Sequence, residues 1–171
     1  MQYKNLHTYT LEELFGSIKN RILIQNDEIR MVHLIDTTEV SRTLGIVRFI
    51  DVKDEIKDAH IKIVSGEMLG KTLFDANIDF DKEFLGASTV ELPEWLIKDF
   101  NTIHKHSKAF YSRILVNSNE SNRKYVYAEL IEVIPFEIKD SFKNKVDTKL
   151  KVNTNIKTLM RAAELTLVGN E

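Results

Sequence analysis

The chain contains no cysteine. This absence excludes a disulfide framework, a thiolate metal site and a cysteine nucleophile. Glycine and proline are scarce, with six and two occurrences in 171 residues, and no internal repeat or low-complexity segment is present. The apolar fraction of 43% and the charged fraction of 29% are typical of a globular protein with one hydrophobic core.

Long apolar runs are also missing. No run approaches the roughly 18 apolar residues of a membrane-spanning helix, and the N-terminus lacks the basic-flanked apolar core of a signal peptide. The formal net charge of −2 gives no general attraction to nucleic acid or to a membrane surface. We therefore expect a cytoplasmic protein that has neither nucleic-acid nor membrane partners.

Several catalytic and binding motifs are absent as well. The sequence has no G-x-S-x-G, Walker A or G-x-G-x-x-G motif, which weakens the case for a serine hydrolase, a nucleotide hydrolase or a dinucleotide-dependent enzyme. The five histidines do not have the spacing of a metal site. We therefore predict that no metal is bound.

Hydrophobic periodicity indicates the secondary structure. Helical spacing follows a capping-box pattern at Thr10 and Glu13. The predicted helices are 11–23, 54–64, one starting near Pro93, and 154–168; the predicted strands are 29–35, 44–52, 85–91, 109–117 and 123–138. Strands joined by short turns favour antiparallel pairing, so we predict an α+β fold.

This order of elements also divides the chain. We predict an N-terminal helix within residues 1–28, an α+β domain over 29–138, and a polar connector with a C-terminal helix over 139–171.

Glu129 is a candidate general acid. Alternation along its strand places it on one face with Tyr125, Tyr127 and Ile131. A carboxylate among aromatic and aliphatic neighbours is costly to bury ionised, and desolvation would favour its protonated form. The alternative is that this face is half exposed and Glu129 is solvated. Glu132 points to the other face of the strand and is no better a candidate for the general acid.

Two arginines are candidate anion ligands. Arg30 opens the first predicted strand, and its guanidinium could form paired hydrogen bonds with a carboxylate of a ligand or of the protein. The alternative is an ordinary surface arginine. Arg48 lies between Ile46 and Ile50 on a face that is otherwise apolar, and a buried arginine there would need an anionic partner.

These features occur in the order found in a known enzyme family. Arg30 opens IRMVHLI, Leu69 and Gly70 lie in MLGKTLFDANIDFDKEF, and YSRILVN precedes YVYAELIEVIP with Glu129. In this order and spacing the chain resembles the chorismate lyase (chorismate pyruvate-lyase) family, over roughly 29–138. The resemblance implies a single antiparallel sheet of about six strands with helices packed on it.

The resemblance also implies an activity, which is removal of pyruvate from chorismate to leave 4-hydroxybenzoate without a cofactor. Arg30, aided by Arg48, would bind a substrate carboxylate. Backbone N–H groups near Leu69 and Gly70 would bind an anionic oxygen. Glu129 would donate a proton as the C–O bond breaks.

Three functions therefore remain open. The first is a carbon–oxygen lyase of this kind. The second is a non-catalytic module that binds a small acid, since the resemblance extends to the effector-sensing domains of GntR-class transcription regulators. The third is an assembly protein that self-associates through the C-terminal helix. For the first two, the expected partner is a small aromatic or enolpyruvyl carboxylic acid.

Overall fold

The computed structural model describes residues 6–26, 28–118 and 123–145, without the side chains of 143–145. The strands form one open antiparallel sheet of six strands in the order β1-β2-β3-β6-β5-β4. The strands are β1 (Lys19–Gln25), β2 (Ile29–Ile35), β3 (Ser41–Phe49), β4 (Phe80–Glu91), β5 (His106–Asn117) and β6 (Lys124–Ile134). The predicted α+β class with about six antiparallel strands is confirmed.

Helices connect and cover the strands. The α-helices are α1 (His7–Phe15), α2 (Lys57–Val64), α3 (Leu69–Asp75) and α4 (Glu94–Phe100), and 3-10 helices span Asp54–Ile56 and Phe136–Lys145. The predicted helices at 54–64 and after Pro93 correspond to the first 3-10 helix with α2 and to α4. The predicted helix 154–168 lies outside the described residues.

The prediction of one helix over 11–23 is wrong. Helix α1 ends at Phe15, and Gly16 follows with a positive φ of 76°, a conformation that favours glycine and ends helices. Beyond it, Lys19–Gln25 forms β1, which pairs with β2 at the edge of the sheet. The Thr10 capping box is also wrong, because the N-cap is Leu6 and has no side-chain cap bond.

The third and the last strands of the chain pair at the centre of the sheet. Strands β1, β2 and β3 form one antiparallel series and β4, β5 and β6 form a second, and β3 pairs with β6 between them. This pairing of β3 with β6 sets which side chains share a face across the whole sheet, since side chains of directly opposite residues lie on the same side.

The sheet has two covered faces. On the first, here called the cavity face, Arg30 is opposite Val47, which is in turn opposite Leu130, and α1, α2 and α3 pack there. On the second, here called the α4 face, Met31 is opposite Ile46, and these residues pack with α4. Each face therefore has its own core.

Candidate functional site

A cavity lies on the cavity face, between the central strands and the starts of α1 and α3. Its volume is about 80 Å³, which is enough for several water molecules or for part of a small ligand. Its apolar lining comes mostly from the sheet. Its polar lining comes from seven side chains, which are His7, Thr8, Asn20, Arg30, Thr43, Lys82 and Glu132.

Gly45 leaves open space over the middle of the sheet. It lies within β3, opposite Val32 on one side and Glu132 on the other. A Cβ atom at this position would have only Val32 within 4 Å, with its Cγ1 at 3.3 Å. Glycine weakens a strand interior and is typical of places where something approaches the backbone closely. Gly45 therefore forms part of the cavity floor.

Arg30 is almost fully buried, with 2% of its surface exposed. Its Nη1 donates to the carbonyls of Ile63 at 2.6 Å and Glu67 at 2.7 Å, and Nη2 donates to that of Gly66 at 3.4 Å. These carbonyls lie at or just beyond the C-terminal end of α2, where a cation complements the helix dipole. Arg30 therefore fixes the end of α2 to the sheet.

Arg30 nevertheless lacks a counter-charge. Among the residues that the structure describes, no carboxylate forms an ion pair with it, and its Nε has no hydrogen-bond partner. Burial lowers the pKa of the guanidinium, against a smaller opposite effect of Tyr127. The cavity is thus lined by a buried cation that has one unused donor.

A second cluster of polar side chains connects four secondary-structure elements. Lys82 on β4 donates through Nζ to both carboxylate oxygens of Glu132 on β6, each at 2.7 Å. His7 on α1 places Nδ1 3.7 Å from Glu132 Oε2 and Nε2 2.7 Å from the hydroxyl of Thr43 on β3. These contacts hold the start of α1 over the sheet, and Lys82 and Glu132 are joined by charge-assisted hydrogen bonds.

Leu69 and Gly70 begin α3 and line the same cavity as Arg30. A Cβ atom on Gly70 would lie 3.2 Å from Leu6 Cδ2, so glycine allows the segment before α1 to approach α3 closely. The predicted pocket segment thus does lie beside the predicted arginine.

Glu129 does not lie beside them. Leu130 is on the cavity face through its pairing with Val47, so Glu129, the adjacent residue, is on the α4 face. The predicted site that combines Glu129 with Arg30 is therefore wrong, because the sheet separates the two side chains. Glu132, three residues further on, is the carboxylate of β6 that lines the cavity.

Glu129 and Arg48 belong to a row of alternating charges on the α4 face. Arg48, Glu129, Arg113 and Glu83 are directly opposite one another on β3, β6, β5 and β4. Arg48 Nη2 is 2.6 Å from Glu129 Oε2, and Arg113 Nε is 3.8 Å from Glu129 Oε1. Such cross-strand pairs stabilise a sheet. Arg48 therefore forms an ion pair with Glu129, and it does not line the cavity.

Sequence reasoning missed several residues that line the cavity, namely His7, Asn20, Lys82 and Glu132. Each is a common polar residue in a segment without a recognisable motif. The only available signal was that Glu132 is on the opposite face of its strand from Glu129. Without the register between strands, this alternation does not show which of the two glutamates faces the cavity.

Metal and membrane features are absent from the described ranges. Within residues 6–26, 28–118 and 123–145, no group of three or more acidic or histidine side chains could hold a metal ion. No helix of this part of the chain has the length and apolar character needed to cross a bilayer. Comparison with protein-family models and with curated proteins found no match.

Proposed function

We propose that this chain binds a small organic acid in the cavity. The observation behind the proposal is Arg30, a buried cation that lines the cavity and has no anionic partner among the described residues. Burying an unpaired charge is costly, and a ligand carboxylate would supply both the missing charge and an acceptor for Nε. Lys82 adds positive charge across the cavity, although Glu132 already neutralises most of it.

The resemblance to the chorismate lyase family supports the same ligand class. It implied a six-stranded antiparallel sheet with packed helices, and the sheet has six antiparallel strands. Arg30, Leu69 and Gly70, which were selected from that resemblance, line one cavity. The proposed ligand is therefore an aromatic or enolpyruvyl carboxylic acid, bound without chemical change as in an effector-sensing domain.

Filling the cavity floor tests this proposal. Gly45→Ala places a methyl group over the sheet centre, where only Val32 must move by a few tenths of an ångström. We expect the affinity for benzoate or 4-hydroxybenzoate, measured by titration calorimetry, to fall about tenfold. The unfolding midpoint should stay the same or rise, because alanine is favoured over glycine by roughly 0.5–1 kcal/mol in a strand.

The matched control for this experiment is Arg48→Ala. It removes an arginine from the other face of the same strand, so it should leave the affinity unchanged. If wild type binds none of these acids, the proposal is wrong. Equal affinity of wild type and Gly45→Ala would show that the acid binds elsewhere.

A second candidate function is turnover of chorismate. The observation that favours it is Glu132, a carboxylate in the same cavity as Arg30, Leu69 and Gly70. In this candidate the Glu132 carboxylate, rather than Glu129, takes the ring proton that is lost as the C–O bond breaks, and then returns it to the departing enolpyruvyl group to give pyruvate. Arg30 holds a substrate carboxylate, and formation of the aromatic ring provides the driving force.

Two glutamine variants on one strand test this candidate. We expect wild type to release 4-hydroxybenzoate and pyruvate from chorismate, and Glu132→Gln to reduce the rate at least 100-fold because glutamine cannot accept and return the proton. Glu129→Gln, on the other face of β6, should retain most of the rate. Chromatographic detection of both products gives the measurement.

Two results would exclude the lyase. One is no turnover by wild type between pH 5 and 8, and the other is equal loss in both glutamine variants. The acid-binding proposal survives either result, since it depends on affinity and not on turnover.

A further inference from the structure

Asn20 and Arg30 meet at one carbonyl group. Asn20, on β1, donates through Nδ2 to the carbonyl of Gly66 at 2.9 Å. Arg30, on the neighbouring strand β2, donates through Nη2 to the same carbonyl at 3.4 Å. Both side chains line the cavity. The two polar groups are therefore close enough for one small molecule to contact both.

Each of these side chains has one buried polar atom without a partner. Arg30 Nε is an unused donor and Asn20 Oδ1 is an unused acceptor. The amide orientation follows from the Gly66 contact, since only the amide nitrogen can donate to a carbonyl. Buried polar atoms without partners are uncommon in folded proteins, and each costs free energy unless water or a ligand satisfies it.

We propose that Asn20 determines the specificity of the cavity by accepting a hydrogen bond from a hydroxyl group of the bound acid. The ligand class is then a hydroxycarboxylic acid, whose carboxylate reaches Arg30 and whose hydroxyl reaches Asn20 Oδ1. This inference rests on the proposed acid-binding function and adds the second recognition group.

A matched ligand series tests the inference. The probes are benzoate, 3-hydroxybenzoate and 4-hydroxybenzoate, which share the ring and the carboxylate and differ in the hydroxyl donor. We expect wild type to bind at least one hydroxybenzoate about tenfold more tightly than benzoate, because benzoate leaves the Asn20 acceptor unpaired. Titration calorimetry measures each affinity.

Three variants separate recognition from folding. Asn20→Leu removes the acceptor, so all three acids should bind with affinities within about threefold of each other, near that of benzoate to wild type. Asn20→Asp keeps an acceptor but adds a carboxylate beside Arg30; all acids should bind more weakly while the hydroxyl preference remains. Gln25→Leu is the control, because Gln25 is also on β1 with an unpaired buried oxygen but does not line the cavity.

The possible outcomes distinguish the two proposals. If acids bind but wild type shows no preference for a hydroxyl, or Asn20→Leu retains that preference, then water satisfies Asn20 and the specificity inference is wrong while acid binding stands. If wild type binds none of the three acids, the acid-binding proposal is wrong and this inference is wrong with it. Thermal unfolding of each variant confirms that the comparison is made between folded proteins.

Discussion

Replacing Arg30 with methionine is expected to lower the free energy of unfolding by about 4 kcal/mol and to abolish acid binding. The guanidinium donates to three backbone carbonyls near the end of α2. Methionine fills a similar volume but donates nothing, so these buried acceptors would lose a charged donor; each such loss costs about 1–3 kcal/mol. Relief from burying a charge offsets part of this cost. Urea unfolding measures the change.

Arg48→Met provides the control for the Arg30 substitution. Arg48 is on the opposite face with half of its side chain exposed, so its loss should cost at most about 1 kcal/mol. Arg30→Lys should be intermediate, because lysine keeps the charge but cannot reach three carbonyls in a planar arrangement. A small cost for Arg30→Met, similar to that of Arg48→Met, would show that the carbonyl contacts contribute little.

Most strands could be predicted from the sequence, because β-branched and aromatic residues alternate along them. Alternation along Ile29–Ile35 places Arg30, Val32 and Leu34 on one face, and all three line the cavity. The first helix was extended too far, because the apolar residues Ile18 and Ile22 happened to continue a helical period through Gly16. A positive φ at that glycine, 76°, is a backbone property that the periodicity does not show.

The prediction of the candidate site depended on the register between strands, which the sequence of one strand cannot provide. Alternation sorts the side chains of β2 into two faces and does the same for β6. Which face of β2 lies on the same side of the sheet as which face of β6 depends on how each strand pairs with β3. Arg30 is opposite Val47, and Val47 is opposite Leu130. A shift of one residue in either pairing would have placed Glu129 beside Arg30. The error therefore came from long-range register, and not from the local assignment of faces.

A bulge adds a second error of the same kind. Ile114 and Leu115 are consecutive on β5, but their partners on β6 are Ala128 and Val126, so Tyr127 is the extra residue. Its ring packs on the cavity face against Phe49, and it does not share the face of Glu129. The apolar surroundings expected for Glu129 were thus partly assigned to the wrong side of the sheet.

Acidification is expected to destabilise the fold through His33. This residue is on the α4 face with no exposed surface. Its Nδ1 is 2.6 Å from Ser41 Oγ and its Nε2 is 3.0 Å from Asp99 Oδ2 on α4. Burial lowers the pKa of His33 to about 4, and Arg21 adds to this effect, while Asp99 opposes it. His33 is therefore neutral in the folded protein near pH 6.

The direction of the pH effect follows from proton binding. In the unfolded chain His33 binds a proton below its ordinary pKa of about 6.5, whereas the folded protein binds it only near pH 4. The stability due to neutral His33 is thus fully present above pH 6.5 and is lost as the pH falls towards 4. The loss amounts to about 3 kcal/mol.

His33→Gln isolates this contribution from the carboxylates that titrate in the same range. Glutamine keeps hydrogen-bonding groups but does not take up a proton, so the difference in unfolding free energy between pH 7.5 and 4.5 should be about 2.5 kcal/mol smaller than in wild type. His106→Gln changes an exposed histidine at the start of β5 and should leave the wild-type difference nearly intact. If His33→Gln has the same pH dependence as wild type, then α4 moves enough at low pH to hydrate His33, and the packing of Asp99 on His33 is weaker than its 3.0 Å contact indicates.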